Sequence, residues 1–311
     1  MTGGRDGDIA PGRSLIFRSG GETVHAWHFS PGSDALDVDG TAPVVVMAHG
    51  LGGTKDSGLA PFAECFAAAG MHVLAFDYRG FGESGGTVRQ RVDIDGQISD
   101  YRAALEAARH LDGVDPRRTA LWGASLSGGH VLTVAAGERE VAAVVSLTPI
   151  TDGLAAGALA LRQHPPSTLL RSTAAGVRSR IGSAARRDPT TIPIVGPPGS
   201  VAALSLDGYH EDYLSLAGPT WRNEIDADIV LSLGAYRPSR YASSIECPVL
   251  VQIADFDRSA PPHSAARAAF RARAEVRHYP CDHFDVWPGK DWFDPAVRHQ
   301  ISFLTRHLDH R

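Results

Sequence analysis

Short runs of uninterrupted apolar residues place the tightest limit on how this 311-residue chain can fold. Pro43-Val-Val-Val-Met-Ala48 is rich in β-branched side chains, and Met71–Phe76, Val141–Leu147 and Pro248–Ile253 are of the same kind. A strand with one wet face alternates apolar and polar residues. A run without alternation must be covered on both faces, as strands inside a parallel sheet are. Parallel neighbours require crossover connections, usually helical. The intervening segments supply them. Leu59–Ala69 is closed by Gly70, and Ile98, Tyr101, Leu105 and Ala108 make one stripe within Gln97–Leu111. His263–Arg273 reads as a helix and Glu275–Tyr279 as a strand. Asp294-Pro295 reads as an N-cap and first helical position, followed by a face of Val297, Ile301, Leu304 and Leu308. Leu15–Phe17 and Val24–Trp27 flank Ser19-Gly20-Gly21 and predict an N-terminal hairpin.

Strands and helices therefore alternate as in an open α/β sheet with helices on both faces. Pro149–Glu246 interrupts the order and is too long for a simple connection. The expected organisation is a flexible tail over residues 1–14, a core over 15–148 and 247–311, and a largely helical cap inserted over 149–246. A net charge of −5 argues against a general nucleic-acid binder. No apolar run reaches the ~20 residues of a membrane helix. Met1–Arg13 is polar and lacks the apolar centre of a signal peptide, so the expected location is the cytoplasm. Cys65, Cys247 and Cys281 are odd in number and widely spaced, which suits a reduced compartment and offers no metal-ligand spacing.

Chemistry concentrates at Leu121-Trp-Gly-Ala-Ser-Leu-Ser-Gly-Gly129. A β-rich run, Arg118–Trp122, leads in, and a helix-like run, Val131–Ala136, leads out. A serine held at a sharp strand-to-helix turn is a nucleophile elbow, whose residues two before and two after must lack bulk. Gly123 meets the first demand. Ser127 stands where the common G-x-S-x-G pattern has its second glycine, and is itself a competing nucleophile. Ser125 is preferred because it has the right spacing from Gly123 and the strand.

The elbow has company. His49-Gly-Leu-Gly-Gly53 follows one strand, Asp77-Tyr-Arg-Gly-Phe-Gly-Glu-Ser-Gly-Gly86 another, and Asp282-His-Phe284 the last. Together and in this order, these motifs resemble the α/β-hydrolase superfamily from about Leu15 to the C-terminus. The wording around Ser125 resembles a bacterial subgroup near peptidase S15-like and acetyl-esterase-like hydrolases, a kind that includes acyltransferases of polyketide pathways. The resemblance implies a Ser-Asp-His chain order. A serine hydroxyl needs a base, and that base needs an orienting acid. Ser125 is then the nucleophile. His283, on the loop after Glu275–Tyr279, is the base. Asp257 is the acid, with Asp255 the alternative; Asp257-Arg-Ser-Ala-Pro261 resembles the family's D-x-x-x-P turn. The amides of Leu51 and Leu126 are the expected oxyanion donors. His49 is expected to support the oxyanion loop, and Asp77 to lock a glycine-rich turn by pairing with Arg79.

The reading is a serine hydrolase of the carboxylesterase or thioesterase type, without cofactor or metal, acting on a small ester or thioester. An acyltransferase using the same triad is the alternative; a peptidase or a non-catalytic binding protein is less favoured. Arg162, Arg171, Arg178, Arg180, Arg186 and Arg187 lie in a span, 153–187, with no Asp or Glu. That span is either a solvated helical face or a basic lid for a coenzyme A or carrier-protein thioester. Arg178 and Arg180 are candidate substrate contacts in the second case. Among the later aromatic residues, including Tyr213 and Tyr236, Tyr209 and Trp221 are candidates for an acyl pocket.

Overall fold

A computed structural model describes residues 12–185 and 187–309. Most of the expected tail lies outside the described residues, as does Arg186. Strand β1 (Arg13–Ser19) takes the last two residues of that expected tail, Arg13 and Ser14, and pairs antiparallel with β2 (Glu22–Phe29) in the predicted hairpin. The apolar runs form β3 (Ala42–Ala48), β4 (His72–Phe76), β6 (Val141–Leu147) and β9 (Val249–Ala254). Every residue of β3, β4 and β9 is buried, which is why these runs carry no alternation. With β5 (Val114–Ala124) and β10 (Glu275–Tyr279) they build one eight-stranded sheet, ordered β1-β2-β4-β3-β5-β6-β9-β10. Strand β2 joins β4 antiparallel, and from β4 to β10 all neighbours are parallel.

Strand β5 is longer than the sequence suggests. Its first half is polar, and Arg118, almost wholly buried, hides in it by satisfying its guanidinium. It reaches Asp115 at 3.0 Å and the carbonyls of Leu36 and Thr41 at 2.8 and 2.7 Å. Helices α1 (Ala60–Ala68), α2 (Ile94–Arg109), α3 (Leu126–Ala135), α8 (Pro262–Ala272) and α9 (Phe293–Leu308) surround the sheet on both sides. Helix α9 starts earlier than Asp294-Pro295. Trp292 is its cap residue, and Pro295 sits inside the first turn, where a missing N–H costs nothing.

Between β6 and β9 lie α4 (Gly153–Gln163), α5 (Pro166–Ala184), a two-stranded ribbon of β7 (Thr191–Ile192) and β8 (Ile225–Asp226), α6 (Tyr209–Leu216) and the short α7 (Ile229–Ser232). This insertion sits on the loop after β3, where a Cβ on Gly52 would lie 2.6 Å from Ile194 and 3.4 Å from Ile225. No described helix is long and apolar enough to cross a membrane. Because β3, β5, β9 and β10 run parallel, the loops leaving them emerge at one edge of the sheet, where ligands of open α/β sheets bind. Those loops carry His49–Gly53, Ser125, Asp257 and His283.

Candidate active site

Ser125 stands between β5 and α3 at φ +57°, ψ −116°, a conformation that L-residues rarely adopt. Backbone bonds hold it there: its amide donates to Leu147 at 2.9 Å, and its carbonyl accepts from Ile150 at 2.9 Å. A Cβ on Gly123 would lie 2.3 Å from the Ser127 carbonyl, so the turn does require glycine two residues before the serine. Ser127 is fully buried and occupied. Its Oγ accepts from the Ala124 amide at 2.8 Å and lies 2.9 Å from the carbonyls of both Ala48 and Ala124. That bonding explains a serine in the second glycine position and leaves Ser125 as the serine with a free hydroxyl among the described residues of the elbow.

The loop after β3 lies directly against Ser125. A Cβ on Gly50 would sit 2.9 Å from Ser125 Cβ and 3.5 Å from its Oγ. The Leu51 amide next in this loop has no acceptor among the described residues. The Leu126 amide is the first of α3, where helix geometry leaves N–H groups unpaired. His49 is enclosed, its ring stacked on Trp287 at 4.8 Å. Burial pulls its pKa down to about 4, against the Ser57 backbone and Asp56, so it is neutral.

His283 and Asp257 meet on the same edge. His283 Nδ1 lies 2.6 Å from Asp257 Oδ2, with both residues buried. The other carboxylate oxygen of Asp257 accepts from the amides of Ser259 and Ala260 at 2.7 and 2.6 Å, which fixes the acid in place. Burial alone would disfavour the imidazolium of His283. The carboxylates of Asp257 and Asp282 outweigh it and raise the pKa above the ordinary histidine value. Asp255 instead pairs with His278 at 2.6 Å in a half-exposed pair outside the site.

The other expected contacts fall elsewhere. Arg180 holds Asp228 at 2.6 Å and Ser232 at 3.2 Å within the insertion, and Arg178 is exposed on α5. Among the described residues, neither is bonded to Ser125, Asp257 or His283. Tyr209 is buried, its hydroxyl donating to Asp282 at 2.9 Å and its ring under the Arg258 guanidinium. Trp221 stacks on Tyr213 at 5.1 Å. Arg79 does not pair with Asp77; it binds Asp100 through Nε at 2.8 Å, while Asp77 takes the Lys55 ammonium at 2.7 Å. The sequence singles out Asp77 but not its partner, Lys55. Its signal is slight: one of two lysines, placed in a glycine-rich loop after a strand. Also unforeseen is a buried chain behind the elbow. His130 lies 3.0 Å from Gln97 and 2.8 Å from the Tyr236 hydroxyl, which is 3.0 Å from the Leu126 carbonyl. Burial takes the His130 pKa down to about 3, so this ring is neutral. Among the described residues, no group of three or more His, Cys, Asp and Glu side chains could hold a metal ion.

The model of the alpha/beta hydrolase fold family matches residues 43–290. The chain belongs to the α/β hydrolase family. Among curated relatives it is 40% identical over 267 residues to the quorum-quenching protein AidA of Acinetobacter baumannii, covering 85% of this chain and 86% of AidA. It is 31% identical over 175 residues to the thiohydrolase aneE of Aspergillus aculeatus, covering 55% of this chain and 53% of that protein. Among solved structures, the α/β hydrolase GrgF from a Penicillium species superposes with a TM-score of 0.78 at 21% identity, over 96% of this chain and 99% of GrgF. None of these relatives is named as an S15 peptidase, and the finer subgroup expected from the wording around Ser125 finds no support among them.

Proposed function

We propose that this chain is a serine hydrolase that opens an ester or thioester through an acyl-Ser125 intermediate. The observation that carries the reading is the buried His283–Asp257 pair, 2.6 Å apart, on the sheet edge that also presents the strained Ser125. In the proposed cycle, His283 takes the Ser125 proton as Oγ attacks the acyl carbon. Asp257 holds the ring through Nδ1 and stabilises the imidazolium. The amides of Leu51 and Leu126 receive the oxyanion. The proton then passes to the leaving group, and a water activated by His283 releases the acid. Residues 149–246 act as the cap that selects the acyl group. A relative named a thiohydrolase supports acyl chemistry at a thioester.

Acyl transfer to an alcohol or amine by the same residues is a second reading. It is favoured by the burial of Ser125 and His283, which restricts water, and by relatives named polyketide transferases. Labelling by a fluorophosphonate probe tests both readings: Ser125→Ala is expected to abolish it, and undiminished labelling of that variant refutes the assignment. Product analysis with a supplied alcohol then separates transfer from hydrolysis.

A further inference from the structure

The loop after β3 has glycine at 50, 52 and 53, with Gly52 at φ +65°. Glycine loses more backbone freedom on folding than any other residue. A loop of this composition holds one conformation only under outside restraint. Among the described residues, a single side chain hydrogen-bonds the backbone of residues 50–53. The Tyr213 hydroxyl donates to the Leu51 carbonyl at 3.0 Å. Tyr213 is itself firmly held, its ring stacked on Trp221 at 29° and edge-on to Phe284 at 5.8 Å. Four residues earlier on the same face of α6, Tyr209 donates to Asp282 at 2.9 Å, and that carboxylate also accepts the His283 amide at 2.7 Å. One helix face therefore grips the loop bearing Leu51 with one tyrosine and the loop bearing His283 with the other.

We infer that Tyr213 is a positioning residue: by pinning the Leu51 carbonyl it aims the Leu51 amide at the oxyanion formed on Ser125. The inference rests on the acyl-serine reading proposed above. The amide and the carbonyl of Leu51 belong to successive peptide planes hinged at one Cα. With the carbonyl held, the hinge is fixed. With it released, Gly52 lets the second plane turn and the first swing with it. An oxyanion donor acts only if it is in place before the charge develops. Loss of the Tyr213 hydroxyl therefore weakens transition-state binding while leaving substrate binding intact.

Tyr213→Phe keeps the stacked ring and removes the donor. The expected result is a kcat lower by roughly tenfold or more, with KM within about twofold. Affinity for an alkylboronic acid, which forms a tetrahedral adduct on serine, falls by the same factor as kcat. Substrate affinity measured by calorimetry in a Ser125→Ala background does not change when Tyr213→Phe is added. Replacement of Tyr213 by 4-aminophenylalanine, which restores a donor at the same position, recovers most of the loss. An unchanged kcat in Tyr213→Phe overturns the inference, as does a rise in KM that accounts for the loss, or an aminophenylalanine variant no better than phenylalanine. Turnover that survives Ser125→Ala is a different failure and removes the acyl-serine reading itself.

Discussion

Lys55 offers a stability test worked from distances. Its side chain has no solvent exposure and lies over the Trp27 ring. Nζ reaches Asp77 Oδ2 at 2.7 Å and Glu83 Oε2 at 2.6 Å. Asp77 is equally enclosed and also accepts the amides of Lys55 and Glu83, at 2.6 and 3.0 Å. Lys55→Met retains the length of the chain and removes the charge. Glu83 is nearly half exposed and recovers its hydration, so its loss counts for little. Asp77 cannot recover its hydration. Removing one partner of a buried ion pair costs about 3–5 kcal/mol, and the two surviving amide bonds put this case near the lower end, about 3 kcal/mol. For a chain of this size that corresponds to a fall in Tm of roughly 5 °C.

The pH dependence has a definite sign. Burial pushes the Asp77 carboxyl up from its ordinary value, and Lys55 opposes that push. In Lys55→Met the opposition is gone and the pKa rises further. A carboxyl whose pKa is higher in the folded state than in the unfolded one destabilises the fold while ionised, and the penalty is relieved as the pH falls through the folded value. The cost of Lys55→Met is therefore expected to be largest near neutrality and to shrink toward about pH 5. Urea unfolding followed by tryptophan fluorescence measures both. Adding Asp77→Asn to Lys55→Met removes the stranded charge and should restore about 1–2 kcal/mol. A penalty under about 1 kcal/mol at neutral pH, or one that stays constant on acidification, refutes the reasoning.

Four further outcomes are expected. Ser127→Ala should keep fluorophosphonate labelling yet lose about 1–3 kcal/mol of stability, because the Ala124 amide is left buried without an acceptor; loss of labelling in this variant would return Ser127 to candidacy. Asp257→Asn should lower kcat by roughly 10²–10⁴, while Asp255→Asn, in its half-exposed pair with His278, should change it by less than about twofold. In the wild-type chain, kcat/KM should rise with pH through a midpoint above the ordinary histidine value, since His283 must be neutral to act and its pKa is raised. The same shift stabilises the fold below the unfolded pKa of His283 and is lost as the pH rises through the folded one, so a midpoint below about 6.5 would contradict it. Because Arg180 is already engaged by Asp228, Arg178→Ala/Arg180→Ala should alter KM for an acyl-CoA and for a neutral p-nitrophenyl ester to the same extent; a selective rise for the acyl-CoA would reinstate an anion-binding lid.

The parts of the fold that water alone decides were legible in the residues. Runs such as Val44–Met47 are buried on both faces and could be little else but central strands. Where polar groups satisfy one another, the pattern fails. The first half of strand β5 carries Asp115, Arg117 and Arg118, and nothing local tells that the buried Arg118 finds two carbonyls some eighty residues earlier in the chain. Asp255 and Asp257 are indistinguishable by type. The difference lies in the parallel register of β9 and β10, which gives one of them His278 and the other, beyond the strand ends, His283. Arg79 looks like the partner of Asp77 because it is near in sequence, yet Lys55, 22 residues away, holds the carboxylate.

The insertion is the extreme case, and α5 shows why. Apolar spacing would turn Leu170, Val177 and Ile181 inward, but Leu170 is 72% and Ile181 65% exposed, and the buried face is Thr168, Ser172, Gly176 and Ser179. Small polar residues allow close approach and complete their own bonds; Ser179, for example, donates to Asp226 at 2.6 Å. The hydrophobic pattern therefore points to the wrong face of this helix. Beside apolar contacts, polar links tie the insertion to the site: the hydroxyls of Tyr209, Tyr213 and Tyr236 reach Asp282, the Leu51 carbonyl and the Leu126 carbonyl. Each ring reads as core in a hydrophobicity pattern, and each is buried, so the pattern is correct about the ring and silent about the oxygen. The oxygen is what distinguishes a cap that merely covers the sheet from one that touches both expected oxyanion donors and the histidine loop. Phenylalanine at any of these positions would preserve the packing and remove the link.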